Sequence, residues 1–142
     1  MKRIVLIFSL ILLSTTLCGC ERPRPFNYER SYFDGVDSVE IINLLNDDPI
    51  EYEVLKTIQG ENLSVFLDEL SEITFHQVYS RPYRPSGLTL KVNYEDRYLL
   101  INEKVLGQHK HNNEFIPGSI IYTGRSDETL EFINKWLDQT SE

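Results

Sequence analysis

Both cysteines of this 142-residue chain, Cys18 and Cys20, lie in its first twenty residues. Everything after them must hold its shape without a disulfide and without thiolate-bound metal. It has to do so by burying apolar side chains. A body of roughly 100 residues is enough for one domain with an adequate core of that kind.

The segment carrying the cysteines reads MKRIVLIFSLILLSTTLCGC. Lys2 and Arg3 give a positive start, Ile4 to Leu13 is an apolar run broken only by Ser9, and Ser14, Thr15 and Thr16 are small and polar. This is the build of a secretory signal peptide. The run is about half the 20 apolar residues that a membrane-crossing helix requires. It ends in Leu17-Cys18-Gly19-Cys20. That ending resembles the lipobox of bacterial lipoproteins: an aliphatic residue, a small residue, Gly or Ala, then the Cys to be modified. Cys18 departs from the Ala, Ser or Thr more usual at the second place. The resemblance implies diacylglyceryl transfer to the Cys20 thiol, recognition of Leu17 and Gly19 by the lipoprotein signal peptidase, and cleavage after Gly19. A fatty acyl chain on the new amino group often follows. Cys20 would then be the last thiol of the mature chain, which accounts for a lone cysteine in an exported protein. Two or more acyl chains hold stably, at about 0.8 kcal/mol per buried CH₂.

Removing Lys2 and Arg3 with the signal takes the formal charge from −8 to −10. An acidic chain of this size repels nucleic acid. It also repels an anionic bilayer, so the lipid has to do the holding. The expected organisation is a signal peptide over 1–19, a lipidated Cys and extended tether over 20–35, and one globular domain over 36–142. In the tether, Pro23 and Pro25 oppose helix, and Arg22, Arg24 and Arg30 concentrate positive charge near the membrane. In Gram-negative lipoproteins an Asp after the modified Cys is associated with inner-membrane retention, so Glu21 leaves either membrane open.

The body alternates turn signals with apolar patterns. Asp34-Gly35 is a turn. In the run Val36 to Leu45, Val39 and Ile41 share one face and Ile42 and Leu44 the other, as in a strand covered on both sides. After Asn46-Asp47-Asp48-Pro49, residues 50–58 read as a half-buried strand with Ile50, Tyr52 and Val54 inward. A helix with Ile50, Val54, Leu55 and Ile58 on one side is the alternative. Asn62 is expected to cap a helix over about 62–73, striped by Leu63, Phe66, Leu67, Leu70 and Ile73. Thr74 to Tyr79 reads as a strand. Leu88, Leu90, Val92 and Tyr94 alternate with Thr89, Lys91 and Asn93, and Tyr98 to Asn102 returns as a hairpin partner. Gly107 to Glu114, the polar middle of Glu103 to Pro117, reads as a long loop or protruding hairpin, and Ser119 to Thr123 as a last strand. Ser126 caps a helix over about 127–139, with Leu130, Ile133 and Leu137 inward and Phe132 and Trp136 widening the stripe. The expected fold class is α+β: an antiparallel sheet of about five to six strands with both helices on one face.

Few residues carry chemistry. GxSxG, the phosphate loop and GxGxxG are absent. His109 and His111, with Glu114 and at a distance His76, are the one ligand-like set, and a zinc site would need three or four such groups at about 2 Å. A solvated loop is the plainer reading, and neither metal nor cofactor is assigned. Arg81-Pro82-Tyr83-Arg84-Pro85 makes a basic island of residue types favoured at binding hot spots. A connector whose arginines meet nearby acids explains it as simply. The expected protein is a non-enzymatic, lipid-anchored binding module on the outer side of a cell membrane or in an outer membrane. Its partner would be an envelope protein or polymer. An envelope hydrolase, or a metal or small-ligand binder using the His109 loop, are the alternatives. The body is similar in general build to small bacterial lipoproteins. Oligomeric state is left open.

Overall fold

The computed structural model describes residues 24–47, 50–77, 86–102, 105–110, 121–124 and 127–139. The chain is an α+β protein built on an antiparallel sheet with two helices. Its strands are β1 (Arg24–Phe26), β2 (Val36–Asp47), β3 (Ile50–Ile58), β4 (Phe75–Gln77), β5 (Gly87–Tyr94), β6 (Arg97–Ile101), β7 (Val105–Lys110) and β8 (Ile121–Gly124). The helices are α1 (Glu61–Glu72) and α2 (Asp127–Asp138), with a short 3₁₀ turn at Arg30–Phe33. The strand order is β1-β4-β8-β7-β6-β5-β2-β3, and every neighbouring pair is antiparallel.

The doubly covered strand is β2. Val39 and Ile41 join the main core with Leu90, Val92, Leu99 and Ile101, under Phe66, Leu67 and Leu70 of α1 and Phe132, Ile133 and Trp136 of α2. Ile42 and Leu44 point the other way, into a smaller cluster with Tyr98, Leu100 and Ile50. Both helices therefore pack on one face of the sheet. Residues 50–58 form a strand, not a helix, pairing Ile41↔Lys56 and Ile42↔Val54 across a bulge that leaves Leu55 over.

Helix boundaries differ slightly from expectation. Gly60, at φ 64°, precedes α1 in the place where Asn62 was expected to cap, and Asn62 lies inside the helix. The positive φ suits the residue without a Cβ. In α2 the buried stripe is Thr129, Phe132, Ile133 and Trp136, and Leu130 is 37% exposed. Those positions recur at the same three- and four-residue spacing, rotated by one position. The two helices are fastened together at their surface. Lys135 Nζ lies 2.8 Å from Glu69 Oε2, and Trp136 Nε1 donates to the same oxygen at 2.9 Å.

The hydrogen bond from Lys135 holds the Glu69 carboxyl below the usual carboxylate range, against the opposing effect of burial and with help from Trp136. A carboxyl depressed in the folded state stabilises above its unfolded pKa, about 4.3, and loses that contribution as pH falls through the folded value. Glu69→Gln is expected to cost about 1 kcal/mol at neutral pH. The gap to wild type should close as urea titrations move below about pH 4.

The tether expected over 20–35 is corrected by the structure from Arg24 onward. Arg24, Pro25 and Phe26 pair with Gln77, His76 and Phe75. Pro25 falls in β1, at the end of the strand order, where proline is better tolerated than in a central strand. Tyr28 and Phe33 are buried in the main core. Rings of Phe26, Tyr28, Phe33 and Phe75 meet at centroid distances of 5.4–5.8 Å. Three aromatic residues of this stretch, Phe26, Tyr28 and Phe33, pack on the core, which a solvated stalk would not do. Among the described residues, the sheet and core thus take in the chain from Arg24 on, ahead of Val36.

Candidate functional site

Among the described residues, the most exposed apolar side chains of the sheet lie on the β2–β3 hairpin. Leu45 is 64% exposed, Val54 44%, Leu55 42% and Tyr52 37%. They surface there for two reasons. β3 stands at the end of the strand order, with β2 as its paired neighbour. Two register shifts, between Ile41 and Ile42 and between Leu44 and Asn46, turn Leu55 and Leu45 out of the ladder. An exposed edge strand with apolar side chains is a template for pairing with another chain. Glu51 and Glu53, also exposed, interleave with the apolar residues.

The strand is held in place from behind. Lys56 Nζ donates to the carbonyl oxygens of Trp136 and Gln139 at 2.6 and 2.5 Å, capping the C-terminal end of α2. On the face away from the helices, Lys91 Nζ sits 2.7 Å from Glu40 Oε2 and 3.1 Å from the Tyr52 hydroxyl. It lies 4.9 and 5.3 Å from the ring centres of Tyr52 and Tyr98. Burial opposes the charge on Lys91, but the bonds to Glu40 and Tyr52 outweigh it and hold the ammonium above the usual lysine range. Tyr52 is thus anchored at its hydroxyl while its ring edge is open to solvent.

The remaining shifted groups are phenols. Burial pushes Tyr98 up to about 12, with Tyr52 adding to the effect. Burial and the nearby Tyr32 raise Tyr94 to about 12, with Arg97, stacked 4.4 Å from its ring centre, pulling the other way. Burial raises Tyr28 further still. Phenols shifted upward stay neutral in water near pH 7 and serve as packing and hydrogen-bonding groups. Tyr94, for instance, donates its hydroxyl to the Tyr32 carbonyl at 3.0 Å.

The residues singled out in the sequence fare differently. Leu17, Gly19, Cys20, Arg81, Tyr83, Arg84, His111 and Glu114 lie outside the described residues. His109 belongs to β7, paired with Tyr98, where a loop or protruding hairpin was expected. His76 pairs with Gly124 of β8, whereas β7 meets β8 at Val105↔Tyr122 and Leu106↔Ile121. His109 lies beyond Leu106 in the direction away from Gly124. That offsets the two histidine backbones by about six positions, or about 20 Å along the strands, with β8 between them. His76 and His109 are therefore not brought together. Among the described residues, no three His, Cys, Asp or Glu side chains could hold a metal ion. Nor is any described helix long and apolar enough to cross a membrane.

The exposed strip on β3 departs from the sequence pattern. The alternation of Ile50, Tyr52 and Val54 predicts the inward side of a half-buried strand, and alternation alone does not distinguish an edge strand from a central one. No family model, no curated protein and no solved structure matches the chain.

Proposed function

We propose that this protein is a lipid-anchored extracytoplasmic binding module. Cys20 carries the lipid, in the cell membrane or an outer membrane, and the domain engages an envelope protein or polymer. The observation that carries the binding reading is the exposure of Tyr52, Val54 and Leu55 on β3, at the end of the strand order, with Leu45 of the neighbouring β2 exposed as well. Among the described residues, β3 pairs along one edge only. An apolar patch rimmed by acids on such a strand suits recognition of an extended segment: main-chain bonds supply affinity and the apolar residues supply selectivity. The anchoring reading is carried by the lipobox-like Leu17-Cys18-Gly19-Cys20 and by a body with no other cysteine.

The test is site-specific photocrosslinking in intact cells from a benzoylphenylalanine at position 52. A discrete adduct is expected, lost when Val54 and Leu55 are both replaced by Lys. Both side chains are exposed, so the fold should tolerate the pair within about 0.5 kcal/mol each. An adduct that persists unchanged in the double variant would move the binding surface elsewhere.

A further inference from the structure

We infer that the partner of β3 is a cationic extended segment of another protein, in which apolar residues alternate with Lys or Arg. The inference rests on the reading of β3 as the binding strand.

The alternation follows from the two sides of β3. Ile42↔Val54 and Leu44↔Tyr52 are cross-strand pairs, and paired residues share a face. Ile42 and Leu44 belong to the smaller cluster, on the face away from the helices, so Tyr52 and Val54 lie on that face too. Glu51 and Glu53 alternate with them and take the opposite side, with Glu53 paired to Asn43. A strand added along the edge opposite β2 would repeat this division. Its residues beside Tyr52 and Val54 gain from being apolar, and those beside Glu51 and Glu53 gain from positive charge.

The two carboxylates are available to such a partner. Both residues are exposed. The ion pairs among the described residues engage other acids, namely Glu40, Asp68, Glu69 and Asp96. The neighbouring lysines are committed elsewhere: Lys56 to carbonyls at the end of α2, and Lys91 to Glu40 and Tyr52. The stretch 45–55 contains no Lys or Arg. Successive same-side residues of a strand stand about 7 Å apart, so a cation at every second position of the added strand meets both acids.

A second copy of this chain fits the edge poorly. Antiparallel self-pairing centred on Tyr52 sets Glu51 opposite Glu53 twice, and centring on Glu53 sets that residue against itself. Like charges directly opposite one another destabilise a strand pair. The chain as a whole, with a formal charge of −8, also repels its own copies.

The test titrates the full-length chain, in non-ionic detergent micelles, with short end-blocked fluorescent peptides. One alternates Val and Lys, one alternates Val and Glu, and one is the Val/Lys peptide with every backbone amide N-methylated. The Val/Lys peptide is expected to bind about ten-fold tighter than the Val/Glu peptide, because two favourable cross-strand charge pairs replace two unfavourable ones. Glu51→Gln combined with Glu53→Gln should bring that ratio close to one. The methylated peptide keeps its charge but has no ladder donors, and its binding should be lost. Equal affinity for the Val/Lys and Val/Glu peptides overturns the cationic partner. The binding strand itself then stands if position 52 still yields its adduct in cells, and falls if it does not. A methylated peptide that binds as tightly as its parent overturns the inference, since charge alone would then suffice. A preference for Lys that survives the double Gln variant overturns it too, by placing the responsible acids elsewhere.

Discussion

Phe33→Ala should lower the unfolding free energy by about 3–4 kcal/mol, the loss expected for emptying the space of a fully buried phenylalanine. Phe33 is 1% exposed and packs with Tyr28 in the main core. Urea denaturation of the domain starting at Cys20 would measure it. In a solvated tether, the same change would shift stability by no more than about 0.5 kcal/mol. The outcome therefore decides whether the domain starts at Arg24 or near Val36. Ser31→Ala, two residues away on the exposed side of the same turn, serves as the reference and should be close to neutral.

Cys20→Ser is expected to release the protein from the membrane altogether. Labelled fatty acid should be incorporated by the wild type and not by the variant, and the variant should leave the membrane fraction. The magnitude follows from the acyl chains. At about 0.8 kcal/mol per buried CH₂, two chains far exceed any attraction the protein surface provides. A chain cleaved after Gly19 would carry a formal charge of −10, which opposes an anionic surface. Label that survives in Cys20→Ser would show a different attachment. The two substitutions should be independent, since one removes a core ring and the other the proposed point of lipid attachment.

Periodicity made much of the interior legible. The two-sided strand at Val39, Ile41, Ile42 and Leu44 was readable because apolar residues at both odd and even positions leave neither face of a strand polar. The stripe of α1 and the hairpin of β5 and β6 were readable because their apolar spacing matches one period throughout. Local chemistry misled at the N-terminus. Two prolines and three arginines suggested an extended stalk, yet Tyr28 and Phe33 supply buried rings, Phe26 packs against them, and Pro25 falls in a strand at the end of the order. Sequence pattern describes a strand's two faces but not its place in the sheet. Tyr52 and Val54 thus read as half-buried, although β3 is at the end of the order and Tyr52, Val54 and Leu55 are exposed. The bulges that expose Leu45 and Leu55 depend on pairing partners distant in sequence. His76 and His109 show the same dependence, because only the register of β4, β8 and β7 tells how far apart they are.

The proposed anchor is a lipid on Cys20, four residues before the first described strand. Intact-mass spectrometry of the chain extracted from membranes tests this attachment most directly. A mature chain beginning at Cys20 and carrying the diacylglyceryl mass, with or without a further acyl group, is the predicted result. A chain that begins elsewhere, or that begins at Cys20 with a free thiol, would contradict it.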